Sequence, residues 1–115
     1  MPENSLKIGI EELQRTAILK INGAFVDFQA KSIVNIVSDL LSKDFLKFIL
    51  NLNSCTDLNN YGISILISII GLIKQKNGHL ILTHLSDNQE KKLKTMGLAS
   101  YADFFSDDES ALENF

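Results

Sequence analysis

The chain's two histidines, His79 and His84, stand at opposite parities of one short apolar segment, which argues against a metal site built from them. Cys55 is the sole cysteine, so neither an intrachain disulfide nor a cysteine-based zinc site can form. A reducing compartment fits that usage, and a cytoplasmic location is the expectation. Nothing cationic lies near Cys55 to lower its pKa, and it reads as a small buried hydrophobe. The sequence holds no Gly-rich phosphate loop, no G-x-S-x-G elbow and no H-E-x-x-H. A phosphorelay receiver needs acids clustered at strand ends, whereas the expected second and third strands end in Asn22 and Leu52-Asn53. With no nucleophile, base and oxyanion donor to name together, the expectation is a protein without catalytic activity, metal or cofactor.

The informative segment is Asp57-Leu58-Asn59-Asn60-Tyr61-Gly62-Ile63-Ser64-Ile65-Leu66. It reads as a loop entering a helix with Gly in its first turn, a start that presents free backbone N–H groups and the positive end of the helix dipole. Asn is among the best N-caps, so capping by Asn59 or Asn60 accounts for the local chemistry. A docking role can coexist with it. On a helical wheel Asn60, Ser64, Ser68, Gly71 and Gln75 form one narrow stripe opposite Gly62, Leu66, Ile69, Ile70 and Ile73. Tyr61, Ile65 and Leu72 lie beside the stripe. So narrow a polar stripe leaves apolar side chains near water unless a partner or the C-terminal helices cover them.

The elements that position this segment follow from periodicity. Leu6, Ile8 and Ile10 alternate as an edge-like first strand, and Thr16 to Asn22 forms a second that Gly23 closes. Ala30, Ile33, Val34, Val37, Leu40 and Leu41 recur at helical spacing across Asp27 to Ser42. A third strand, Phe45 to Leu52, precedes a loop, Asn53 to Asn59. The apolar helix then runs from Asn60 to Lys76, and Asn77-Gly78 stops it before a fourth strand, His79 to His84. Ser86 with Gln89 makes a capping box for a helix over Asp87 to Met96 that Gly97 ends, and Ser106 with Glu109 makes another for a short terminal helix. The order is β-β-α-β-α-β-α-α in one α/β domain over residues 1–115, with a four-stranded mixed sheet. Each strand has one apolar and one mixed parity, so helices are expected mainly on one face.

Bulk properties agree with one modest core. The chain has 115 residues, 45% of them hydrophobic and 22% charged, with a net charge of −3. Lys94 is the last basic residue, and the acids that follow it are uncompensated, which disfavours nucleic acid as a partner. Residues Met1 to Ser5 carry neither the basic start nor the apolar stretch of a secretory signal. The longest apolar run, Ile63 to Ile73, is shorter than the roughly twenty residues of a membrane span and is broken by Ser64, Ser68 and Gly71, so direct membrane insertion is not expected.

Four segments in order make the chain from about Leu6 to Phe115 resemble a STAS domain of the anti-sigma factor antagonist family. Leu19-Lys20-Ile21-Asn22-Gly23 is similar to that family's L-x-G stretch, and Phe48-Ile49-Leu50-Asn51-Leu52 to its third strand. Asn59-Asn60-Tyr61-Gly62-Ile63 takes the place of its D-S-S-G-L signature. Lys74 to Leu82, then Leu93 to Leu98 followed by Ala111-Leu112, resemble its closing motifs. The resemblance implies a STAS-like layer of helices on a mixed sheet. It also implies a regulatory protein whose partner is an anti-sigma factor or serine kinase-like protein. Phosphorylation of the first signature serine abolishes binding in that family. Here that serine corresponds to Asn60, which cannot accept phosphate, and Ser54, Thr56 or Ser64 would have to carry any relocated switch. Ala24-Phe25-Val26 also replaces the usual acidic stretch. The docking surface implied for this chain comprises Asp57, Leu58, Asn59, Asn60, Tyr61, Gly62, Ser64, Ile65 and Leu72. The alternative is a structural or sensory STAS subunit of a lipid-transporter or stressosome-like assembly. The apolar helix could also serve a homodimer.

Overall fold

In a computed structural model, which describes residues 5–115, strands β1 (Lys7–Leu13) and β2 (Thr16–Phe25) form an antiparallel hairpin with regular pairing from Lys7↔Asn22 to Leu13↔Thr16. The sequence start read above as lacking a secretory signal falls largely in residues 1–4, outside the described residues. The hairpin turns on Gln14 and Arg15, both left-handed at φ 53° and 64°, a combination that matches the twist of the flanking strands. Strand β1 therefore runs three residues beyond the expected end at Ile10.

Gly23 does not close β2. Its φ of 111° bends the strand and shifts its register, so that residues Gly23 to Phe25 leave β3 (Lys47–Asn51) and pair with β4 (Cys55–Leu58). The segment expected to be a loop thus contains a short parallel strand. Strands β5 (His79–Thr83) and β6 (Asp103–Phe105) complete a mixed six-stranded sheet of order β1-β2-β3-β5-β6, with β4 beside the end of β2. The expected count of four strands missed β4 and β6, of four and three residues, because strands so short have no periodicity to read.

Helix α1 (Ser32–Ser42) follows a single 3-10 turn, Phe28–Lys31, capped by Asp27, and α2 (Asn60–Gln75) and α3 (Asp87–Thr95) lie close to their expected bounds. The capping box of Ser86 and Gln89 is formed. The second expected box is not. Helix α4 (Asp108–Leu112) is capped one residue later, where Asp107 accepts from the Ser110 backbone N–H at 2.8 Å.

Alternation then sorts the two sides of the sheet. Ala17, Leu19 and Ile21 of β2, Phe48 and Leu50 of β3, and Leu80 and Leu82 of β5 face the main core, with Ile33, Val37, Ile63, Leu66, Ile69 and Leu93 of the first three helices above them. The opposite parity aligns Ile18, Ile49 and Ile81 across neighbouring strands beneath Ala111, Leu112 and Phe115. Helices therefore cover mainly one face, and α4 closes the smaller apolar strip on the other. Its dock is polar as well: Asp108 accepts from Thr83 Oγ1 at 2.6 Å and from Asn51 Nδ2 at 2.9 Å.

Candidate partner-docking site

The corner between β4 and α2 is built on Asn59. Its Oδ1 accepts from the Gly62 backbone N–H at 3.0 Å, capping α2, while its Nδ2 donates to the Val26 carbonyl at 3.0 Å. One amide thus ties the helix start to the chain leaving β2. A carboxylate could cap but could not donate. Gly62 allows the close approach: a Cβ there would lie 1.9 Å from the Phe25 carbonyl oxygen and 2.9 Å from its ring. The N-terminus of α2 consequently rests on the end of β2, and the side chains around it have a fixed outlook.

Of the nine residues expected to form the docking surface, Asp57, Asn60, Tyr61 and Ser64 are exposed, and Asn59 and Leu72 are half-buried. Leu58, Gly62 and Ile65 are buried and are not part of a surface, a correction to the reading above. Ile65 turns into the core, while Ile67 is 49% exposed at the edge of the polar stripe, beside Asn60. On the wheel Ile67 lies about 20° outside Asn60, on the opposite flank of the stripe from Tyr61 and Ile65, so the rotation of the packed helix decides which flank meets water. Phe28, in the turn before α1, is 74% exposed and lay outside the helical apolar recurrence read from the sequence.

The hydroxyls of the stripe fold back on their own helix. Ser64 Oγ donates to the Tyr61 carbonyl at 2.6 Å and Ser68 Oγ to the Ser64 carbonyl at 3.2 Å. Asn60 projects from the first turn, and its side chain has no hydrogen-bond partner among the described residues. The exposed face is accordingly neutral and partly apolar, with Asp57 at one margin. At another, Lys92 of α3 donates from Nζ to the Leu58 carbonyl at 3.4 Å.

Two open clefts flank β4. One, of about 550 Å³, is lined among others by Cys55, Thr56, His84, Ser86 and Gln89; the other, of about 280 Å³, by Asp57, Asn88 and Lys92. Among the described residues no buried side-chain polar atom lacks a partner. Cys55 is half-buried, with its thiol 3.3 Å from the Asp57 carbonyl, and burial pushes its pKa up, so it is held as a thiol. His79 and His84 stay apart in role: His79 pairs with Asp103 at 2.6 Å, and His84 lines the larger cleft. No group of three or more His, Cys, Asp or Glu among the described residues could hold a metal ion, and no helix there is long and apolar enough to cross a membrane.

The fold has counterparts among known proteins. The family model described as STAS domain matches residues 7–111. No curated protein sequence matches the chain. Among solved structures, an anti-sigma factor antagonist from Mycobacterium paratuberculosis is similar with a TM-score of 0.81 at 13% identity, over 97% of this chain and 95% of that one. The Bacillus cell-fate determinant SpoIIAA in its phosphorylated form is similar with a TM-score of 0.73 at 17% identity, over 93% and 97%. RsbS from Moorella thermoacetica is similar with a TM-score of 0.71 at 14% identity, over 93% and 92%.

Proposed function

Because the chain belongs to the STAS domain family, we propose that it is a non-catalytic regulatory protein that docks onto an anti-sigma factor through the corner at the start of α2. The observation that supports this most is the make-up of that corner. Tyr61 and Ile67 keep 36% and 49% of their surface in water on a helix whose other large apolar residues are mostly buried, and they flank the unpartnered Asn60. Apolar and aromatic side chains beside a neutral polar group are what a protein partner desolvates well. Asn60 stands where the resemblance sets the family's phosphorylated serine. An amide offers no hydroxyl to a kinase, so the corner stays in one charge state and partner binding is not relieved by phosphate there.

The test has two steps. Affinity capture from the native cell with mass spectrometry is expected to return an anti-sigma factor with the serine kinase-like fold. Recovery of transporter subunits instead would replace this reading by that of a structural STAS subunit. Titration calorimetry then compares wild type with Asn60→Asp against that partner. The substitution places a carboxylate at the positive end of α2, gaining about 0.3–1 kcal/mol of helix stability, so circular dichroism should report an intact fold. Binding should weaken about tenfold or more, because a negative charge is buried in an interface arranged for a neutral group. Equal affinities place the docking surface elsewhere.

A further inference from the structure

Strand β1 is the long edge of the sheet. It pairs with β2 on one side, and among the described residues no strand pairs with its other side. Natural edges are usually short, bulged or interrupted by proline, since an open row of N–H and C=O groups templates further pairing. This one is seven residues long, has unbroken register, contains no proline and leaves Ile10 55% and Leu13 43% exposed.

We propose that β1 is a self-association surface, on which a second copy of this chain adds its own β1 antiparallel across a two-fold axis at Gly9. Directly opposed residues of an antiparallel pair share a face, so only registers that match parity keep the two helical layers on the same side. Centring the axis on Gly9 sets Lys7 opposite the partner's Glu11, and by symmetry Glu11 opposite the partner's Lys7, with Ile8 and Ile10 opposed between them on the helical face. Shifting the axis to Lys7 or to Glu11 opposes like charges. Shifting it to Ile8 or Ile10 leaves Lys7 and Glu11 with no opposite charge across the ladder, since Lys7 then faces Gly9 or Leu13 and Glu11 faces Ser5 or Gly9. Opposite charges and apolar pairs directly across a ladder stabilise it, and like charges do the reverse. Glu11 already holds Lys20 through Oε2 at 3.1 Å, on the face that Lys7 also occupies, which leaves Oε1 for the incoming ammonium. The contact is small, so the dimer is reversible and concentration-dependent.

Lys7→Glu and Glu11→Lys each put like charges across both symmetric contacts at exposed positions, the second also giving up the surface pair with Lys20. Sedimentation equilibrium should show wild type in a monomer–dimer equilibrium and each variant alone self-associating about tenfold or more weakly. Mixing the two variants should restore association as a heterodimer, because every opposed pair is then of opposite sign. That recovery also shows that both variant chains are folded. A wild type that stays monomeric at all accessible concentrations overturns the proposal. So do variants that dimerise like wild type, which would move the interface to another surface such as α2, or a mixture that fails to recover association.

Discussion

Replacing Asn59 separates the two bonds its amide makes, because alanine removes both and aspartate only one. Loss of the cap to the Gly62 N–H costs about 0.5–2 kcal/mol in comparable helices. Loss of the donor to the Val26 carbonyl, in a partly buried setting, adds about 1 kcal/mol. Asn59→Ala should therefore destabilise by about 1.5–3 kcal/mol. Asn59→Asp keeps an acceptor for Gly62 and gains about 0.3–1 kcal/mol from the helix dipole, but sets a carboxylate against the Val26 carbonyl that the amide had satisfied. Its net cost should be about 1 kcal/mol, between wild type and Asn59→Ala. Urea unfolding followed by circular dichroism should give this order of midpoints at constant slope, and thermal midpoints falling about 4 °C per kcal/mol. Asn59→Asp as stable as wild type, or Asn59→Ala no worse than Asn59→Asp, would show that the amide's double engagement contributes nothing.

Gly62→Ala forces a methyl to within 1.9 Å of the Phe25 carbonyl unless α2 lifts, so the variant should lose at least 2–3 kcal/mol, roughly the upper end for overpacked sites, or fail to fold, as denaturant titration would show. Asp108→Asn turns one acceptor facing Thr83 or Asn51 into a donor, and should cost about 1–3 kcal/mol while increasing hydrogen exchange in α4 more than in α2. Cys55, its pKa raised chiefly by burial, should be alkylated by iodoacetamide more slowly at neutral pH than an exposed thiol, the rate rising only as pH passes the ordinary thiol range; rapid labelling at pH 7 would show an exposed thiolate instead.

Much of the frame can be read from residue order. Alternation in Ala17, Leu19 and Ile21, and again in Phe48 and Leu50, marks strands whose inward face is wholly apolar, and helical recurrence from Ile33 to Leu41 marks the layer above them. Asn59 or Asn60 as the cap of α2, and Ser86 with Gln89 as a capping box, are local chemistry within one turn and therefore visible without a fold. The family signature at Asn59 to Ile63 was equally legible.

What tertiary structure decided is nonlocal. Gly23 looks like a strand end, and only the arrival of Cys55–Leu58 alongside turns its φ of 111° into a bend that extends the sheet. The sequence contains Ile65 and Ile67 as equivalent apolar residues two positions apart. Which one meets water depends on the helix's rotation about its axis, and Gly62 and Leu58 set that rotation by resting α2 on Phe25. The mixed parity of the strands likewise hid that Ile18, Ile49 and Ile81 line up under α4, because residues so far apart in sequence become one strip only when parallel pairing brings them into register.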